Sequence, residues 1–331
     1  MSAVRESHDA LLLDLDGTVY QGDQAVPGAV AALGQGSQRL LYVTNNASRS
    51  PMEVAQHLRD LGFTATADDV VTSSQAAARV LARQLPAGSA VLVVGTQALA
   101  DEVRAVGLIP VSAAADNPAG VVQGHSPDTG WRALAEAALA IRAGAWWVAT
   151  NLDPTLPTER GLLPGNGSMV AALASATGVH PVVAGKPAPP LLLDAIERAG
   201  SVRPLVVGDR LDTDIAGARA VGAPSMLVLT GVSTALDVLR ALEEQRPDLI
   251  GADLAALNWP ASRSAVGPVA GWSVTVADGH LVLRCADARM SAVDGLRAAC
   301  QVAWDNPGFT GIRAHGAGAA AALQAWSAAG P

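Results

Sequence analysis

A chain of 331 residues, 50% of them hydrophobic and 16% charged, has material for two compact cores and is too apolar to remain disordered. Its net charge of −8 argues against nucleic acid as a partner, because that affinity rests on Lys and Arg neutralising phosphates. The two cysteines, Cys285 and Cys300, are too few for a disulfide framework and lack metal-ligand spacing, so both read as small buried hydrophobes.

No window approaches the ~20 apolar residues of a membrane span. The opening MSAVRESHDA carries charges where a signal peptide needs an apolar run. A cytoplasmic location and no membrane partner are the expectation.

In chain order the apolar runs are LLLDLD, LLYVTN, VVTSS, AVLVVG, AWWVAT, PVVAG, PLVVGD and PSMLVLTG, with helical stretches between them. Strands alternating with helices predict an α/β fold, a doubly wound parallel sheet of Rossmann-like type. Two Gly/Pro-rich segments, 151–168 and 258–271, interrupt the rhythm. The second reads as a linker, since the pattern changes after it. Residues 272–276 and 281–285 alternate as two strands about a turn at Asp278-Gly279. A helix near 291–304, a strand near 309–314 and an alanine-rich helix follow. Together they predict a small C-terminal α+β extension, without which a chain ending near Trp259 would keep every motif below.

Four motifs each close a predicted strand. They are Asp14-Leu15-Asp16-Gly17-Thr18, Thr44-Asn45-Asn46, Gly185-Lys186-Pro187, and Gly208-Asp209-Arg210-Leu211-Asp212-Thr213-Asp214. Open α/β sheets hold their ligands at the carboxyl edge, so one sheet would gather all four. Asp14 and Asp16 stand two apart, which in extended chain turns both the same way. Two like charges that close call for a cation.

These residue types suit phosphoryl chemistry. A phosphomonoester dianion repels a carboxylate nucleophile until charge is neutralised, and Mg²⁺, a hard cation, would take oxygens of Asp14, Asp16 and Asp209. Attack by Asp14 would form an aspartyl-phosphate, with Asp16 as acid and then base. Lys186 supplies positive charge. Thr44, with Gly17, Asn45 and Asn46 around the phosphate, supplies hydrogen bonds. Asp212 and Asp214 either order metal-bound waters or cap the helix that follows.

In this order the motifs resemble the haloacid dehalogenase superfamily of phosphatases, over about residues 8–257. The intervals are 30 residues from Asp14 to Thr44, 142 from Thr44 to Lys186 and 23 from Lys186 to Asp209. The long middle interval places an extra domain between the second and third motifs, as in subclass IIA with its nitrophenylphosphatase-like enzymes. The resemblance implies a core at 1–84 and 182–257 and an inserted α/β cap at 85–181; the change of pattern adds the linker at 258–271 and the extension at 272–331.

It also implies that segment 150–168 faces the catalytic centre. Asp153, Asn166 and Ser168 are candidate substrate contacts there, and Glu159 and Arg160 offer further polar groups. Some relatives carry a histidine in an Asp-Pro-x-His-Pro stretch; Leu156 stands at that position here, so that contact does not carry over. TERGLLPGNGSMVAAL and GDRLDTDI are closest to actinobacterial members of the family that hydrolyse glycerol 3-phosphate. A small phosphomonoester is therefore the expected substrate, with 2-phosphoglycolate, a sugar phosphate or phosphotransfer as alternatives. A homo-oligomer is compatible with the sequence. In the tail, Arg313-Ala314-His315-Gly316-Ala317-Gly318 resembles the R-x-x-G-x-G/A pyrophosphate loop of acetyl-CoA-dependent acetyltransferases. About sixty residues are short for such a domain, which favours a structural or docking module.

Overall fold

The computed structural model describes residues 2–158 and 160–328; Glu159 lies outside the described residues. The chain forms two compact units, one of residues 1–40, 61–63 and 199–331, the other of 41–60 and 64–198. The architecture is α/β, with parallel Rossmann-like sheets flanked by helices and an added C-terminal extension.

In the first unit the strand Ala10–Leu13 runs parallel to Pro204–Gly208, which is followed outward by Ser225–Val228 and Leu249–Gly251. Leu11, Leu12 and Leu13 are wholly buried, the burial of both faces that a continuous apolar run encodes. Leu13 pairs with Val207, and the Asp14 N–H donates to the Val207 carbonyl at 2.8 Å. This register brings Asp14 and Asp209 out at one strand edge.

The extension belongs to the same unit. Ser273–Ala277 and His280–Arg284 pair antiparallel, and Gly311–His315 adds to the latter in parallel. Asp278 and Gly279 take φ of 50° and 73°, the left-handed pair that a two-residue hairpin turn requires. The Ala292–Asp305 helix begins at Ser291, whose hydroxyl accepts from the Val293 N–H. Its buried face does not close on the extension alone. Leu296, Cys300, Ala303 and Trp304 share one apolar cluster with Val238, Leu239, Leu211 and Ile215 of the preceding fold. The extension thus shares its core with the fold that precedes it.

The second unit holds an all-parallel sheet in the order Val182–Val183, Trp146–Ala149, Gly120–Gln123, Ala90–Val94, Ile109–Val111. The ends of Arg39–Thr44 and Val70–Thr72 pair beside each other in parallel. VVTSS stops being strand at Thr72, which caps the Ser73–Gln84 helix. The Thr72 hydroxyl accepts from the Gln75 N–H, and Gln75 Oε1 accepts from the Thr72 N–H. Segment 151–168 is not an irregular break but an antiparallel hairpin, Thr155–Thr158 against Gly161–Pro164, leading into the Asn166–Thr177 helix. Among the described residues no helix is long and apolar enough to cross a membrane.

Candidate active site

Asp14 follows the first strand, Asp209 follows Pro204–Gly208, and Asp214 sits on the turn Leu211–Ile215. One carboxylate oxygen from each lies within 4.8 Å of the other two. Asp209 and Asp214 are buried, so this negative charge is gathered in a place of poor solvation. Three hard oxygen donors so arranged fit Mg²⁺.

The Asp209 carboxylate is held from several sides. The Val232 N–H donates to Oδ2 at 2.6 Å and the Thr18 hydroxyl to Oδ1 at 3.2 Å. The Ser233 N–H reaches the Asp209 carbonyl at 3.1 Å, and the Ser233 hydroxyl accepts from the Leu211 N–H at 3.0 Å. Thr230 donates to the Gly17 carbonyl at 2.6 Å, tying the same loop to the first motif. The Leu211–Ile215 turn is π-helical, with the Asp214 and Ile215 N–H groups both on the Arg210 carbonyl at 3.0 and 3.2 Å. This wider turn lets Asp214 Oδ2 accept from the Arg210 N–H at 3.1 Å.

The carboxylate group comprises Asp14, Asp209 and Asp214, whereas Asp16 is exposed and stands outside it. The reason is local: the N–H groups of Thr18, Val19 and Tyr20 all donate to the Leu15 carbonyl, so the chain turns at once and strand alternation does not reach Asp16. The Asp212 carboxylate lies outside this group. It forms a two-pronged pair with Arg210, at 3.0 and 2.8 Å. Burial pushes its carboxyl up, but the hydrogen bonds and charge of Arg210 prevail and hold it below the ordinary value.

The other predicted residues lie in the second unit. Lys186 is buried, with Nζ donating to the Val43 carbonyl at 3.2 Å. Asn45 grips its backbone on both sides, accepting from the Lys186 N–H at 2.8 Å and donating to its carbonyl at 3.0 Å. Thr44 is buried and accepts from the Asn46 N–H, while Asn46 accepts from the Ser48 N–H, so both shape the turn. Asp153 accepts from Asn45 at 3.3 Å. Asn151, absent from the predicted set, donates to the Asn45 carbonyl at 2.8 Å and accepts from the Asp153 N–H at 3.2 Å. Asn166 is buried and donates to the Asn151 carbonyl at 2.8 Å, and the Ser168 hydroxyl donates to the Pro154 carbonyl at 2.7 Å. These donors are spent on backbone carbonyls. Asn166 and Ser168 thereby fix the shape of the segment. Arg160 is exposed, its N–H on the Thr158 hydroxyl.

In the tail, the N–H groups of Gly318 and Ala319 donate to the Cys285 carbonyl at 3.0 and 3.2 Å. A Cβ on Gly318 would stand 2.7 Å from the Cys285 sulfur. Close packing of the helix start against Cys285–Asp287 thus accounts for the glycine pattern.

Family models agree with this layout. A haloacid dehalogenase-like hydrolase model matches residues 11–109, and a second of the same kind matches 183–257. A GCN5-related N-acetyltransferase-like domain model matches 269–327, so the extension is of a recognised domain type despite its shortness. The chain belongs to the haloacid dehalogenase-like hydrolases, in subclass IIA, and is a magnesium-dependent phosphomonoester hydrolase. It is 54% identical to the D-glycerol 3-phosphate phosphatase of Mycobacterium tuberculosis, over 99% of this chain and 96% of that protein. The crystal structure of the glycerol phosphate phosphatase from that organism, in complex with magnesium, superposes with a TM-score of 0.95 at 55% identity, covering 99% of each chain. The p-nitrophenyl phosphatase from Archaeoglobus fulgidus gives a TM-score of 0.69 at 30% identity, over 76% of this chain and 98% of that one.

Proposed function

We propose that this enzyme hydrolyses glycerol 3-phosphate through an aspartyl-phosphate on Asp14. The carrying observation is the group of Asp14, Asp209 and Asp214 carboxylates, in a chain 54% identical along nearly its whole length to a D-glycerol 3-phosphate phosphatase. Magnesium held there supplies the positive charge that lets a carboxylate approach a phosphate dianion.

The Asp14 carboxylate attacks phosphorus and the bond to the glycerol oxygen breaks. Asp16, exposed and at the start of a tight turn, gives its proton to the departing alkoxide. It then takes a proton from water, which attacks phosphorus, frees inorganic phosphate and restores Asp14. Gly17, Thr44, Asn45, Asn46 and Lys186 are assigned to the phosphoryl oxygens. Lys186 brings the fixed charge, its backbone steadied by Asn45. Asp153, Asn166 and Ser168 are the substrate contacts of the cap segment. Asp212 acts at one remove, by fixing Arg210.

The chain divides into a core at 1–84 and 182–257, a cap at 85–181, a linker at 258–271 and an extension at 272–331; family models spanning 183–257 and 269–327 support the limits of the second core segment and of the extension. The enzyme acts in the cytoplasm, as a monomer or homo-oligomer, on a small substrate and without nucleic acid or membrane. Phosphate release from glycerol 3-phosphate, 2-phosphoglycolate and hexose phosphates, at one pH and Mg²⁺ concentration, tests the substrate. Glycerol 3-phosphate is expected to have the highest kcat/KM. A tenfold lead for either rival overturns the substrate and leaves the chemistry standing.

A further inference from the structure

The loop that clamps Asp209 has little burial of its own. Val232, whose N–H meets Oδ2, exposes 61% of its surface. The loop is held at its start by the Thr230 bond to Gly17, and at its end it runs directly into the Ala235–Leu239 helix. That helix is only five residues long, too short to be stable by itself, so its position comes from what packs on it. Its cap is in order, with the Thr234 hydroxyl accepting from the Asp237 N–H and Asp237 Oδ2 from the Thr234 N–H.

What packs on it is the extension. Ala235, Val238 and Leu239 lie in one apolar cluster with Leu296, Ala299, Cys300, Ala303 and Trp304. The contact is directional as well as apolar. Trp304 donates its indole N–H to the Val238 carbonyl at 2.8 Å, at the end of the short helix, where the same carbonyl also accepts from the Ala241 N–H at 3.2 Å. The Arg246 guanidinium covers the Trp304 ring at 5.4 Å, and Arg240, just past the helix, covers Phe309 at 5.8 Å. Leu211 and Ile215, on the turn that carries Asp214, belong to the same cluster.

We infer that Trp304 is a positioning residue for the metal site: through the Val238 carbonyl it sets the short helix, and through that helix the Val232 and Ser233 donors that orient Asp209. The inference rests on the assignment of Mg²⁺ to Asp14, Asp209 and Asp214. The extension then serves phosphoryl transfer as the rear wall of the metal site and needs no ligand of its own to do so.

A matched pair of substitutions tests this. Trp304→Phe removes the donor to Val238. Trp326→Phe removes the same group from an equally buried indole whose partner, the Ala292 carbonyl at 3.1 Å, lies inside the extension. Mg²⁺ binding to full-length apo-protein is measured by isothermal titration calorimetry, with melting temperature alongside. Trp304→Phe is expected to weaken Mg²⁺ binding roughly 3- to 10-fold, less than the ~10- to 100-fold typical of groups bonded directly to a ligand residue. Trp326→Phe should lower the melting temperature comparably and leave Mg²⁺ affinity unchanged. Equal Mg²⁺ affinity in both variants, or an equal loss in both, overturns the inference. If Trp304→Phe does not fold, Arg246→Gln, which uncovers the same ring, carries the same expectation and the same refutation. Failure of the unaltered protein to bind Mg²⁺ would instead refute the metal assignment beneath it.

Discussion

Gly17 lies against Asp209 so closely that a Cβ on it would stand 2.7 Å from Oδ2, while its φ of +84° excludes most other residues in any case. Gly231 approaches the same carboxylate from its own side. Gly17→Ala should therefore displace the Asp209 carboxylate and weaken Mg²⁺ activation at least about tenfold, in line with groups that orient a metal ligand. Activity titrated against Mg²⁺ checks this; an unchanged midpoint would show that the contact is not limiting.

Asp14→Asn keeps the shape of the side chain and removes the nucleophile. With the fold intact, kcat should fall at least about 10³-fold, because other contributions cannot replace a missing covalent step. Near-wild-type turnover in a variant with an unaltered circular dichroism spectrum would exclude the aspartyl-phosphate route.

Removing magnesium should relieve nothing in the fold but expose the repulsion among Asp14, Asp209 and Asp214. Chelation is expected to lower the melting temperature of the native protein, and Asp214→Asn, with one charge fewer, should shrink that difference. Calcium should compete and inhibit, since its looser, higher coordination accepts carboxylates in two-pronged fashion and ties up the nucleophile. Full activity in calcium would contradict this account.

The Asp212–Arg210 pair predicts a modest acid sensitivity. The carboxyl of Asp212 sits below its ordinary 3.8 in the folded protein, so the pair stabilises above that value and its contribution is lost as pH falls through the lower, folded value. The side chain is 58% exposed, which makes the effect small through solvent screening. Asp212→Asn should lower the melting temperature slightly at pH 7 and not at pH 2 to 3. A constant difference across that range would assign the effect to something other than the charge.

How far the sequence carries can be judged from particular residues. The run ending at Asp14 and the run ending at Asp209 are legible because a strand buried on both faces must be apolar throughout, and a carboxylate after such a run breaks the pattern. Gly120–Gln123 escapes notice because four residues show no period of their own. The place of Asp214 beside Asp14 and Asp209 depends on a π-helical turn at Arg210, and the exposure of the Asp16 side chain on a tight turn at Leu15, irregular backbone that residue types do not encode. Val232 contributes through its N–H, which every residue but proline possesses, so nothing in its side chain marks it. Yet LTGVST follows a strand at the same edge as the other motifs, and that position was a usable signal. The apolar face of the Ala292–Asp305 helix is likewise visible in its spacing, but spacing tells which side is covered and not by what.

Both thiols of the chain, Cys285 and Cys300, are buried in the extension's share of the common cluster, and burial pushes the Cys300 thiol far above its ordinary value. A thiol without its thiolate and without access is inert toward alkylating reagents. The native enzyme should hence ignore iodoacetamide, and labelling should proceed only during excursions in which this region opens. The chain carries its own clock for those excursions: timed alkylation read by mass spectrometry reports how often the rear of the catalytic centre comes loose, with no engineered probe.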